Sequence, residues 1–320
     1  MKIVVLGGSG YIGSHVVEQL LLSGAKPICV VRPSANLSFL RSIGADCRPS
    51  DFSDAALSAL LQGVDVVINC VARPELHQHP DAHRAVDVEL TVRIFRAAEK
   101  SGVGRFLQLS TVQVYGFRRP PVPVNEEYPC GGDYAFNRMA MEREASLRQL
   151  AQNSRTALVL LRPANTIGAR DPNFGKIIAL HRAGFFPMIG QGARFSAVDA
   201  RDVGRAMVFL SKAGKLQYDC YLLKGFDTSW QQVKETLDEL SGRRAVSLRL
   251  PRVVMMGFGR LCEALYPYGT NPPLTPFAVE VMATDTLFDD ARIRREGFVT
   301  RFGVGDALGG VAVCNKKAEN

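Results

Sequence analysis

Along the first half of the chain, short unbroken apolar runs alternate with longer stretches whose apolar positions recur at a helical period. KIVVL at 2–6 shows the first pattern, and YIGSHVVEQLLL at 11–22 shows the second. An unbroken apolar run marks a strand covered on both faces, whereas a half-exposed strand alternates. The pattern predicts strands near 2–7, 26–32, 45–51, 64–71, 105–111 and 156–163. Helices are expected between them, near 11–23, 53–62, 81–101 and 133–153. Such regular alternation implies an α/β fold with a doubly wound parallel sheet. Right-handed crossovers then place ligands at the carboxyl ends of the strands.

Beyond residue 163 the pattern loosens, and segments such as RDPNF and GFFPMIGQG break the alternation. A helix over 198–210 and a strand over 220–224 read as returns to the first domain. The division expected is therefore residues 1–165 plus about 195–225 as one domain. Residues 166–194 plus 226–320 would form a smaller, discontinuous C-terminal substrate domain. Within it, the apolar segment 253–265 reads first as a core or dimer helix, and second as the wall of a lipophilic pocket. The final CNKKAEN is expected to fray.

The first strand runs straight into GGSGYIG, where Gly7, Gly8, Gly10 and Gly13 let the backbone turn sharply. The order strand, glycine loop, helix is what a dinucleotide pyrophosphate needs, because the first N–H groups of the helix, beginning at Tyr11 and Ile12, face the anion. The fold class is thus a nucleotide-binding sheet of the Rossmann type. At the end of the second strand, where a carboxylate would bind the ribose 2′-hydroxyl of NAD, stands Arg32, followed by Ser34 and Asn36. A guanidinium suits a 2′-phosphate, so NADP is the expected cofactor, with NAD as the alternative. Asp51 and Phe52, after the third strand, fit an adenine contact; Asp51 equally fits a helix N-cap.

Composition narrows the partners. The formal net charge is +8, yet no Lys/Arg block exceeds two residues, which favours anionic small molecules over nucleic acid. Seven scattered cysteines without a C-x-x-C fit reduced thiols in a cytoplasmic protein. No apolar run reaches the roughly 20 residues a membrane span requires, and no secretory signal is seen. His77, His79 and His83 have spacings that recur in metal sites, but Pro80 interrupts them, and a solvated or substrate-facing loop with no metal is expected. Arg118 and Arg119, with the proline-rich segment after them, read as a stiff loop over the active site.

The fifth strand, RFLQLSTVQVYG, and the later GGDYAFNRMAMERE resemble the extended short-chain dehydrogenase/reductase family, the NAD-dependent epimerase/dehydratase type. VDVELTVRIFRAAEKSGV, LRPANTIGARD and GQGARFSAVDARDVGRA extend the resemblance over almost the whole chain. FDDARIRREGF at 288–298 is similar to a segment of its 3β-hydroxysteroid dehydrogenase-like branch. The resemblance implies that Thr111 orients a substrate oxygen and that Tyr134 is the acid/base. It also implies that Asn69, Ala72 and Pro163 sit beside the cofactor with Gly7, Gly10 and Gly13. A homodimer would be common in such a family.

One position departs decisively. Four residues after Tyr134 the family carries lysine, and this chain carries Arg138. Arginine keeps the charge that stabilises a phenolate and could position the cofactor, but it cannot release a proton, and its fork is larger. No lysine lies between Lys100 and Lys176, which excludes a local shift. Val112 and Gln113 stand where dehydratases of the family carry an Asp-Glu pair, so water elimination is not expected. The function expected is interconversion of a secondary alcohol and a ketone with NAD(P). A nucleotide-sugar epimerase and an NADP-binding scaffold without turnover are the alternatives.

Overall fold

The computed structural model describes residues 1–73, 77, 79–118, 120 and 122–318. Its strands are β1 (Ile3–Leu6), β2 (Ile28–Val31), β3 (Asp46–Pro49), β4 (Val66–Asn69), β5 (Arg105–Leu109) and β6 (Ala157–Pro163). They continue as β7 (Asn165–Ile167), β8 (Phe185–Ile189), β9 (Arg194–Asp199), β10 (Cys220–Leu223), β11 (Phe226–Ser229) and β12 (Val246–Leu250). The helices begin with α1 (Tyr11–Leu22), α2 (Ser38–Ser42), α3 (Asp54–Leu60), α4 (Pro80–Arg84), α5 (Thr91–Lys100) and α6 (Ala135–Ala151). Then come α7 (Pro172–Arg182), α8 (Ala200–Lys212), α9 (Trp230–Ser241), α10 (Arg252–Leu265), α11 (Pro276–Ala283), α12 (Ala291–Arg295) and α13 (Val304–Ala318).

Seven parallel strands form the main sheet in the order β10-β6-β5-β4-β1-β2-β3. The unbroken apolar runs have the cause anticipated for them. Ile3 and Val5 face one layer with Val16, Val17 and Leu20 of α1 and Val203, Met207 and Leu210 of α8. Val4 and Leu6 face the opposite layer, with Leu57 of α3, Ile94, Phe95 and Ala98 of α5, and Leu147 of α6. A strand buried on both sides has no polar position to spare. The strand order reverses between β1 and β4, so the crevice outside their carboxyl ends is where such a sheet receives a ligand.

A three-stranded sheet (β11-β9-β7) and the parallel pair β8–β12 lie outside the main sheet. They share a third apolar cluster built around Phe174, Phe195 and Trp230, with Ala307, Leu308 and Val311 of α13.

Three elements differ from the sequence pattern. The helix expected over 81–101 is interrupted at Ala85–Leu90 by a wider π-helical turn, which carries Asp87 into the interior. The expected helix at 198–210 begins only at Ala200, because the Asp199 carboxylate caps it by accepting from the Arg201 N–H; Val198 stays in β9. The apolar segment at 253–265 does form a helix, α10, but only Gly259 and Cys262 of it are buried. Its apolar outer face belongs to no core.

Candidate active site

The glycine loop is fixed by close backbone approach. A Cβ on Gly7, whose φ is +76°, would lie 2.9 Å from the Cys70 carbonyl carbon and the Val71 nitrogen at the end of β4. On Gly13 it would stand 2.2 Å from the Gly7 carbonyl oxygen. The chain can make this turn and start α1 against it only with glycine at both places. Gly10 caps α1 and offers no side chain to do so, which leaves the first N–H groups, Tyr11 and Ile12 among them, for an anion. The loop therefore fits a dinucleotide pyrophosphate.

Arg32, Ser34, Asp51 and Phe52 meet in one cleft of about 400 Å³ beyond β2 and β3. Sequence reading proposed Arg32, Asp51 and Phe52 separately, and the fold brings them together. Phe52 is buried with a left-handed φ of 58°. The Asp51 carboxylate accepts from the Ser53 N–H at 2.9 Å, while the N-cap of α3 is Ser53 itself. Sequence reading missed Arg93, a second cation lining this cleft. It is held in place by Asp54 at 2.9 Å and by the Phe52 carbonyl at 2.9 Å. No motif marks it, because only the packing of α5 against α3 brings it there.

Thr111 lies two residues beyond β5 and caps a 3₁₀ turn at Val112–Tyr115, its hydroxyl accepting from the Gln113 N–H at 3.1 Å. Its own O–H is left available to a substrate oxygen. The turn is tied to the start of α6, since the Asn137 amide donates to the Gln113 carbonyl at 2.6 Å and the Gly131 N–H to that of Val114 at 2.8 Å. Tyr134 is the N-cap residue of α6. It lines a second cleft of about 410 Å³ with His77, Asp133, Phe136, Glu263, Tyr268 and Phe277 among its walls. Phe117 and Phe277 meet the Tyr134 ring edge-on. Thr111 is not among the residues lining this cleft.

Burial, with Glu280 and Glu263 nearby, raises the Tyr134 hydroxyl above its ordinary pKa, against the opposing pull of Arg252 and Arg260. Arg138 is exposed, and its guanidinium donates to the carbonyl of Asp133. The cations acting on Tyr134 thus come from α10, whose contribution no sequence motif signalled. Asn69 is fully buried and binds the sheet together: its amide donates to Gln108 at 2.8 Å and its oxygen accepts from the Val71 N–H at 3.2 Å. Ala72 is exposed, Pro163 is buried at the end of β6, and neither lines either cleft.

The three histidines go separate ways. His77 lies 2.8 Å from the Tyr266 carbonyl and stacks on Tyr268, His79 caps α4, and His83 is buried. Arg118 pairs with Asp133 at 3.0 Å on the surface, and Arg119 lies outside the described residues.

Behind Thr111 sits a buried ionic network. The Glu144 carboxylate accepts from the Ser110 hydroxyl at 2.5 Å and from Arg162 through Nε at 2.9 Å and through Nη2. Arg162 also donates to the Tyr115 hydroxyl at 2.5 Å. Burial pushes Glu144 upward, but the hydrogen bonds and charge of Arg162, with Ser110 and Arg148, hold it below its ordinary value. The network braces the ends of β5 and β6, which carry Thr111 and Pro163.

A doubly wound sheet with a glycine loop at its switch point, and a Thr and a Tyr beyond it, defines a nucleotide-binding enzyme class. The model of the NAD dependent epimerase/dehydratase family matches residues 3–219. The chain belongs to that family, and so to the nucleotide-dependent oxidoreductases and epimerases. It is 26% identical to the 2-alkyl-3-oxoalkanoate reductase of Stenotrophomonas maltophilia, over 96% of this chain and 97% of that one. It is 25% identical to sterol demethylase protein B of Methylococcus capsulatus, with the same coverage of 96% and 97%. In fold it resembles the UDP-glucuronic acid 4-epimerase of Bacillus cereus, solved with NAD, at a TM-score of 0.81 and 19% identity over the full length of both chains.

Proposed function

We propose that the protein reduces an apolar ketone to the secondary alcohol with NADPH, and runs the reverse oxidation with NADP. The observation that carries this is the lining of the Tyr134 cleft. Tyr134, Phe136, Tyr268 and Phe277 line it beside Asp133 and Glu263, and among the described residues no lysine or arginine lines it, although Arg118 pairs with Asp133. The diphosphate of a sugar nucleotide would meet the Glu263 carboxylate and the already paired Asp133 there, whereas an apolar ketone packs against the four rings. The two reductive or sterol-related relatives accord with this, and the epimerase likeness is one of fold.

The glycine loop and the N-terminus of α1 would hold the pyrophosphate, and Arg32 and Arg93 the phosphorylated ribose. The bound dinucleotide supplies the hydride. The Tyr134 hydroxyl would give its proton to the carbonyl oxygen as negative charge develops there. By the family resemblance the Thr111 hydroxyl, outside the lining of that cleft, would donate a hydrogen bond to the same oxygen. A scaffold without turnover is the second reading, favoured by the outward turn of Arg138.

NADPH oxidation assayed against a panel of sterol-like and alkyl ketones, with chromatography of UDP-sugars for epimer formation, separates these readings. Turnover of ketones that falls at least 100-fold in Tyr134→Phe is expected. Epimerisation of a UDP-sugar overturns the cleft reading, and NADPH binding with no turnover of any ketone supports the scaffold.

A further inference from the structure

Helix α10 carries its apolar residues on the wrong side for a globular helix. At about 100° per residue, Val253, Val254, Gly257, Phe258, Leu261 and Leu265 fall on one continuous outward arc of about 140°. All are exposed, Val253 to 84% and Leu265 to 71%, while the opposite side buries Gly259 and Cys262. A solvent-facing arc is normally polar, and an apolar one of this length marks an interaction surface. β12, which leads into the helix, adds exposed Val246 and Leu248 beside its exposed β8 neighbour Phe185.

The charge flanking this arc is mainly positive, since Glu263, the one carboxylate of α10, lines the Tyr134 cleft instead. Residues 243–262 contain Arg243, Arg244, Arg249, Arg252 and Arg260, and no acidic residue. Arg252 pairs with Glu280 at 2.7 Å; the other four have no carboxylate partner among the described residues. A second copy of the chain would bring like charges face to face. An anionic lipid surface offers hydrocarbon to the arc and phosphate to the arginines. We propose that α10 and the strand before it dock the protein on an anionic membrane surface, with the helix lying in the interface. Its 14 residues are too few to span a bilayer, which takes about 20.

The same helix contributes Glu263 and Ala264 to the Tyr134 cleft. Docking therefore brings the cleft close to the lipid phase, where an apolar ketone concentrates. That consequence rests on the proposed function, but the docking itself does not.

Flotation of the purified full-length protein tests the docking, with vesicles of phosphatidylcholine alone and of phosphatidylcholine mixed with phosphatidylglycerol. Binding to the mixed vesicles is expected to exceed binding to the neutral ones by about tenfold or more, and to weaken as salt is raised. Val254→Gln/Leu261→Gln and Arg243→Glu/Arg244→Glu/Arg249→Glu should each lower it about tenfold. Urea midpoints unchanged from the parent would show that both variants are folded. Absence of flotation with anionic vesicles, or equal flotation of folded variants, overturns the proposal. So does a dimer, detected by light scattering, that Val254→Gln/Leu261→Gln separates into monomers, because the arc would then be covered by a second copy.

Discussion

Replacing Glu144 with glutamine keeps the shape of the buried network and removes its negative charge. Glu144 is 1% exposed and Arg162 2% exposed, so the guanidinium left behind has neither a counter-ion nor water. Breaking a buried pair from one side costs about 3–5 kcal/mol. Glutamine retains a carbonyl for Ser110 or Arg162, which puts the expected loss near the lower end, about 3 kcal/mol. In a chain of 320 residues that corresponds to a fall of roughly 4–5 °C in Tm.

Removing both charges in Glu144→Leu/Arg162→Met should recover at least half of the loss, since no uncompensated ion remains. The pH dependence has a definite sign. Glu144 is held below its ordinary value in the folded protein, so its contribution is present above the unfolded carboxylate pKa and is lost as pH falls through the lowered folded value. The deficit of Glu144→Gln should therefore be full at pH 7 and shrink in acid below about pH 4. Urea titrations of the three proteins at pH 7, with a series at acid pH, give these quantities. A loss below about 1 kcal/mol for Glu144→Gln, or a double variant no more stable than the single, would show that the pair does not carry the charge balance assigned to it.

Gly13→Ala should cost about 1–3 kcal/mol and weaken dinucleotide binding at least tenfold in calorimetry, because the new methyl group meets the Gly7 carbonyl oxygen at 2.2 Å. Arg32→Ala should weaken NADPH at least tenfold and leave NADH within about threefold; equal losses for both would end the 2′-phosphate assignment. Asp171, cap of α7, is pushed up to about 6 by burial, in spite of accepting from the Asn173 and Phe174 N–H groups. Its folded value lies above the unfolded one, so the parent loses stability as pH rises from about 4 through 6. Asp171→Asn keeps a capping oxygen without the charge, and its urea midpoint should gain on the parent across that interval, by up to about 2 kcal/mol.

The sheet and the cofactor loop were readable because each rests on local chemistry. An apolar run such as 3–6 has no partner-free way to bury both faces except inside a parallel sheet, and Gly7 and Gly13 answer a steric demand within a few residues of themselves. That Arg32 and Phe52 meet in one cleft has a similar local cause, since each lies just beyond the carboxyl end of a neighbouring strand, β2 and β3.

What the sequence left open depends on residues far apart in the chain. The Y-x-x-x-R spacing put Arg138 one helical turn from Tyr134, but Tyr134 caps α6, and the Arg138 fork reaches the Asp133 carbonyl, while the charges that act on the tyrosine arrive from Glu280, Glu263, Arg252 and Arg260 more than 100 residues later. The aromatic wall of the cleft joins Phe277 and Tyr268 to Tyr134, and the brace beneath Thr111 joins Glu144 to Arg162. The apolar pattern at 253–265 specified a helix but not which side it would bury. A helical period records only that apolar residues share a face. Whether that face meets a core, a partner or solvent is decided by what the rest of the chain packs against it, and in α10 the chain packs against the other side.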